Sequence, residues 1–274
     1  MNLTHALFVA ALLPVSAMAG DFCTVSQPRA LDLDMSGVKT VVFEVNGNAL
    51  NLQASPGAKA ALTGRACASS QGQLGQLSLT QEKTGDKITV RLKRETPGID
   101  FSFGADHVWL DMSGTLPDTV MVQLKVGSGD AWLEGAQAAS VDVGSGDVQV
   151  NRVKQQVTAA VGSGDLKLDD IGALNLLSVG SGDVHVNGVR GDATVGSIGS
   201  GDLEVRNAQG NVQINAIGSG DATVSEVQGA VNLDAMGSGD LHVRNAGSLR
   251  VRRVGSGSVE HSGIRGSVDV PKDD

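Results

Sequence analysis

From residue 126 to about residue 270, apolar and polar residues alternate in short runs that recur every 17 to 19 residues. Val148 and Val150, Leu166 and Leu168, Val184 and Val186, Leu203 and Val205, and Leu241 and Val243 are apolar pairs two places apart. The intervening place varies freely: Trp132, Gln149, Lys167, His185, Glu204, Thr223 and His242 occupy it in successive copies. Alternation with period two marks a strand with one face in and one face out. A second apolar run precedes each of these strands. Its apolar residues stand two apart in the early copy Val122, Leu124 and Val126, and gain one residue in late copies such as Val212, Ile214 and Ile217. The extra residue predicts a bulge or corner.

Between the two runs lies one phrase. Gly-Ser-Gly-Asp occurs at 127–130, 144–147, 162–165, 180–183, 199–202, 218–221 and 237–240, and Gly-Ser-Gly-Ser at 255–258. A second turn, rich in Asn and Gly, follows at Asn187-Gly188 and at residues 207–210 and 245–247. A repeat of this length is the signature of a solenoid, since one coil cannot bury its apolar side and stacked coils can. The expected fold is all-β: a parallel β-solenoid, or single-stranded β-helix, of about eight coils of 17–19 residues. Parallel crossovers make right-handed the default. Coils ~4.8 Å apart would form a rod roughly 40 Å long.

Residues 20–105 lack the period and read as a small β-rich capping module ahead of the solenoid, which is expected over residues 106–270, with a polar tail at 271–274. Solenoids need such caps because an open end exposes strand edges and core. Within the cap, Asn46-Gly47 predicts one hairpin and Thr84-Gly85-Asp86 a second. Residues 1–19 read as a signal peptide: an apolar stretch too short to span a bilayer, then the cleavage motif Ala17-Met18-Ala19. The chain is therefore expected to be exported, to the periplasm or the cell surface. No later apolar run reaches membrane-spanning length.

The formal charge of −9 gives the chain no reason to seek nucleic acid or anionic lipid. In an oxidising compartment the two cysteines, Cys23 and Cys67, are expected to pair. Closing that loop is worth roughly 4 kcal/mol in the chain-entropy model. With no Tyr, five Phe and two Trp, the chain is poor material for an aromatic platform.

Stacking places Asp130, Asp147, Asp165, Asp183, Asp202, Asp221 and Asp240 in one column. Neighbouring charges at ~4.8 Å repel by ~1 kcal/mol in water and more at lower dielectric. Two readings offset that. Each carboxylate can accept N–H groups of its own glycine turn, or the column can hold calcium, which takes clustered oxygen ligands. His185 and His242 share the outward column three coils apart, roughly 14 Å, too far to share a metal. No serine sits in a nucleophile motif, and Gly-Ser-Gly-Asp lacks the Lys and spacing of a phosphate loop. Arg250, Arg252 and Arg253 form a basic cluster, read as a solvated face. Leu116-Pro117-Asp118-Thr119 reads as a strand-linking turn.

The stretch 108–130, with its Leu-Pro turn, alternating strand and first Gly-Ser-Gly-Asp, resembles the bacterial "putative adhesin" families of β-strand-repeat proteins, including those with the head-GIN domain. The resemblance covers about residues 105–270. It implies an exported β-solenoid without established enzymatic activity. The expected role is non-catalytic binding or scaffolding of an envelope protein or glycan, with no cofactor. The rival readings are a polysaccharide-cleaving β-helix and a calcium-stabilised surface repeat protein. Coils held to 17–19 residues leave little chain for the loops that a cleft needs.

Overall fold

A computed structural model describes residues 23–95 and 107–271. The expected signal peptide, the boundary at 105/106 and tail residues 272–274 lie outside the described residues. Nine strands come first: β1 (Val25–Asp32), β2 (Thr40–Val45), β3 (Ala49–Ser55), β4 (Ala61–Ala68), β5 (Leu77–Thr84), β6 (Lys87–Arg94), β7 (Val108–Pro117), β8 (Met121–Val126) and β9 (Asp130–Glu134). Strands then alternate between two walls. One wall receives β10 (Ala138–Val143), β12 (Gln156–Val161), β14 (Ala173–Val179), β16 (Ala193–Ile198), β18 (Val212–Ile217), β20 (Ala230–Met236), β22 (Ser248–Val251) and β24 (Val268–Asp269). The other receives β11 (Asp147–Asn151), β13 (Asp165–Ile171), β15 (Val184–Val189), β17 (Leu203–Ala208), β19 (Ala222–Val227), β21 (Leu241–Arg244) and β23 (Val259–Ser262).

The result is the expected parallel β-solenoid, built as two twelve-stranded sheets. Sheet A runs β1-β4-β7-β3-β9 and on to β23, and sheet B runs β5-β6-β2-β8-β10 and on to β24. Every strand pairing beyond β3 and β2 is parallel, coil upon coil. The apolar alternation fills the space between the walls: Leu133, Val150, Leu166, Leu168, Ile214 and Val243 are fully buried.

The core has a column that the strand alternation does not reveal. Ala136, Val153, Ile171, Val189, Ala208, Val227 and Ala246 stand six places after each repeat Asp and are buried. They close the core at the second corner. The residue before or near each one adopts a left-handed backbone: Gly135, Arg152, Asp170, Gly188, Asn207, Glu226, Asn245 and Gly263 have φ between 52° and 82°. This turns the chain out of period two and points the next residue inward.

The late-coil bulge is present. Ala159 pairs with Leu176 and Ala160 with Ser178, so Leu177 is skipped. A second insertion lies in the far corner, where Val153 to Val157 spans four places but Ile171 to Leu174 only three. Coils with neither insertion have 17 residues, coils with one have 18 and coils with both have 19.

The N-terminal region departs from expectation at one point. Asn46-Gly47 does not make a hairpin. β2 lies in sheet B, parallel to β6 and β8, and β3 lies in sheet A, parallel to β7 and β9. Residues 40–55 are thus a further coil of the solenoid, with Asn46-Gly47-Asn48 stacked on Gly127-Ser128-Gly129. The expected hairpin at Thr84-Gly85-Asp86 does form, joining antiparallel β5 and β6. With antiparallel β1 and β4 beside β7, it covers the first coil. Buried Asn48 joins coil to cap. Its Nδ2 donates to Leu92 O at 3.0 Å, and its Oδ1 accepts Leu110 N–H at 2.7 Å. The Cys23–Cys67 disulfide ties the residues before β1 to buried Cys67 in β4.

Candidate binding surfaces

The seven repeat aspartates stand where the spacing put them, in one exposed or half-exposed column where the first corner meets sheet A. Their hydrogen bonding differs from the expected pattern. Each carboxylate from Asp165 onward accepts the N–H of the next coil, not of its own turn. Asp165 Oδ1 accepts Asp183 N–H at 3.2 Å, Asp183 accepts Asp202 at 3.2 Å, Asp202 accepts Asp221 at 3.0 Å and Asp221 accepts Asp240 at 2.8 Å. At the end, Asp240 accepts both the N–H and the hydroxyl of Ser258 at 2.8 Å. These two bonds hold the Asp240 carboxyl below its ordinary pKa, the backbone bond contributing most. Ser258 supplies a donor and begins no further rung, which explains the departure from Asp in the last copy.

The glycines answer a steric demand. A Cβ on Gly146, Gly164, Gly182, Gly201, Gly220 or Gly239 would lie 1.8–2.0 Å from the carbonyl oxygen of the equivalent glycine one coil back. The first glycine of each phrase is nearly as crowded, at 2.6 Å for Gly144 and 2.7 Å for Gly218. Neither set has a left-handed φ. Glycine is required here because backbones touch, with Ser163 N–H, for example, reaching Gly144 O at 2.7 Å. Coil stacking therefore takes up the glycines and one oxygen of each carboxylate from Asp165 to Asp240. Among the described residues no three His, Cys, Asp or Glu side chains converge as metal ligands.

The outer face of sheet A pairs its own charges. His185 Nδ1 lies 3.2 Å from Glu204 Oε2, and Arg206 Nε donates to Glu204 Oε1 at 2.6 Å. Lys167 faces Asp169 at 3.7 Å, and His242 lies 3.1 Å from Glu260. The two histidines are separated by the rungs of Glu204 and Thr223, as the spacing required. Near the cap this face forms an open groove of about 590 Å³ lined by Asn51, Met112, Trp132, Gln149, Lys167 and His185, among others. Sequence reading placed Trp132, Gln149, Lys167 and His185 in one column. It missed that the first coil adds Asn51 and β7 adds Met112, because that contact requires β3 and β7 to be seen as neighbours in sheet A.

The remaining candidates are structural. Arg250 meets Asp269 at 3.3 Å and Arg252 meets Asp234 at 3.5 Å. Asp118, buried in the expected turn after β7, donates its N–H to Ser55 O at 3.2 Å and its carboxylate pairs with Lys154. Arg190 passes over Gly172 to donate to Val153 O at 2.7 Å, two coils back, and Arg265 passes over Gly247 to Val227 O at 3.1 Å.

A two-walled parallel β-solenoid with one capped end and long regular polar faces defines the class of protein. The chain belongs to the Toastrack DUF4097 family, whose model matches residues 38–268. Several solved structures share the fold at low identity. A Parabacteroides merdae protein described as a "putative adhesin" is 14% identical, with a TM-score of 0.58 over 87% of this chain and 97% of its own. A Parabacteroides distasonis protein described as a "putative lipid binding protein" is 16% identical, with a TM-score of 0.60 over the same shares, 87% and 97%. A Bacteroides fragilis "putative adhesin" is 14% identical, with a TM-score of 0.50 over 87% and 98%. No curated protein matches the chain.

Proposed function

We propose that the protein is an exported, non-catalytic β-solenoid that binds or scaffolds a protein or glycan of the cell envelope, in the periplasm or at the cell surface. The observation that carries this reading is the constancy of the coil. From Asp130 to Ser258 every coil keeps 17–19 residues, so the solenoid offers long faces and spares no chain for the walls of a cleft. The phrase that looked most like a ligand loop is occupied in stacking coils. Structural neighbours described as adhesins or as lipid-binding support a binding role. The disulfide suits an oxidising compartment, and no helix among the described residues is long and apolar enough to cross a membrane.

Affinity capture from the envelope fraction of the source cell, with the purified chain as bait, tests the reading. Recovery of one stable protein or glycan partner is expected. Turnover of an acidic polysaccharide by the purified chain would overturn it.

A further inference from the structure

The middle rungs of the two outer faces differ in what their side chains do, although sheet B pairs Arg91 with Glu44 and Arg250 with Asp269 at its two ends. On sheet A the outward groups pair with one another. On sheet B, Thr158, Asn175, Thr194, Gln213 and Asn232 form one in-register column from β12 to β20. None of the five is buried, and none makes a side-chain hydrogen bond to another outward side chain of the face. A parallel column beside it is short: Ala160, Ser178, Ser197, Ala216 and Ala235. Charge bounds this patch: Asp142 stands beside Ala160 at one end, Arg250, paired with Asp269 at 3.3 Å, stands beside Asn232 at the other, and Asp234 pairs with Arg252 at 3.5 Å.

We propose that this face of sheet B is the docking surface for a neutral, hydroxyl-rich polysaccharide chain laid across the coils. The inference rests on the reading of the protein as a binding protein and names its partner class. Charge complementarity selects the ligand. Between Asp142 and Arg250 the two columns carry no charge, so they reward no ionic partner, and a charged ligand would shed water there without gaining a counter-charge. Amide and hydroxyl side chains both donate and accept, as sugar hydroxyls do. The rungs repeat every ~4.8 Å, so a polymer can engage several at once and gain by avidity what each contact lacks. Five strands of about six residues cover roughly 500 Å², below the roughly 800 Å² per partner of a stable protein interface, which argues against a second copy of the chain.

The test is retention of the purified chain on uncharged insoluble polysaccharides, a β-glucan and chitin, compared with Thr194→Lys, Gln213→Lys and, on the opposite face, Thr223→Lys. Thermal melting of each variant checks folding, and Asn175→Lys replaces any variant that fails to fold. The expected result is retention of the parent chain in low and high salt, a roughly tenfold loss in the two sheet B variants, and none in Thr223→Lys. The proposal is overturned by no retention on either polysaccharide, by equal loss in Thr223→Lys, by binding that salt abolishes, or by a dimer that Thr194→Lys splits. If the parent chain still captures an envelope partner in any of these cases, the binding function stands and only this surface assignment falls.

Discussion

The two corners of each coil solve the same problem by opposite means. At the first corner successive backbones come into contact, and no side chain fits between them. Every copy therefore spells Gly-Ser-Gly, although the glycine φ values are ones any residue can adopt. At the second corner the backbone itself must turn left-handed, and in the middle coils there is room for a side chain: a Cβ at Gly188 would meet nothing nearer than 3.4 Å, whereas at Gly135, against the first coil, it would lie 2.3 Å from Ala54 O. Arg152, Asp170, Asn207, Glu226 and Asn245 share that column with Gly135, Gly188 and Gly263. A left-handed non-glycine residue costs about 1 kcal/mol, which the rest of a well-packed coil can offset. A buried collision with backbone is not negotiable in that way. Steric exclusion writes itself into sequence, and conformational preference only biases it.

The comparison can be broken most sharply with a bulky residue in the first corner. Gly220→Val places a branched side chain where even a Cβ meets Gly201 O at 1.9 Å. Loss of more than about 3 kcal/mol in urea unfolding is expected, or failure to accumulate as folded protein. A variant of parent-like stability would mean that the corner opens easily.

The next largest effect separates charge from hydrogen bonding in the Asp ladder. Asp202→Ala removes the acceptor of Asp221 N–H and should cost about 1 kcal/mol. Asp202→Asn keeps an acceptor and relieves repulsion along the column, so it should match or exceed the parent in the same measurement. An Asn variant as damaged as the Ala variant would show that the charge itself is needed and revive the cation reading.

At the second corner the sign should reverse. Glu226→Gly relieves a φ of 56° at the cost of one exposed bond from Asn245 Nδ2, and should raise stability by up to about 1 kcal/mol. Calorimetric melting reads this directly, and a lower melting point would refute it.

The smallest effect is at the ladder's end. Because Ser258 lowers the folded-state pKa of Asp240, its contribution is present above the ordinary carboxylate range and fades as pH falls through the folded value. Ser258→Ala keeps the backbone bond and removes the hydroxyl one, so it should melt slightly below the parent at neutral pH, and the gap should close as pH falls below the ordinary carboxylate range. A gap that persists in acid would point to packing instead.

The same contrast explains how much could be read from sequence. The apolar pairs beside each Asp, the bulge after Leu176 and the β5–β6 turn were legible because each has a local pattern. The coil at residues 40–55 was not, because its corner spells Asn46-Gly47-Asn48 and Asn-Gly is a hairpin dipeptide. Asn48 stands at the place of a repeat glycine. On its cap side it meets β6 and β7, where a side chain is useful, instead of another glycine corner. The core column from Ala136 to Ala246 escaped because the left-handed residue interrupts period two just before it. Aligning the copies six places past each Asp would have revealed it. The Asp column was placed correctly and its bonding was not, since a sequence does not say which coil a carboxylate will reach.

The contrast between the two corners is read by one pair of melting temperatures, those of Gly201→Ala and Gly188→Asn against the parent chain. A Cβ at Gly201 would lie 1.9 Å from Gly182 O, whereas at Gly188, with φ of 82°, the nearest atom is 3.4 Å away. A large fall is expected for Gly201→Ala and little change for Gly188→Asn, since Asn already serves at the equivalent positions Asn207 and Asn245. A harmless Gly201→Ala, or a Gly188→Asn that destabilises more, would contradict that contrast.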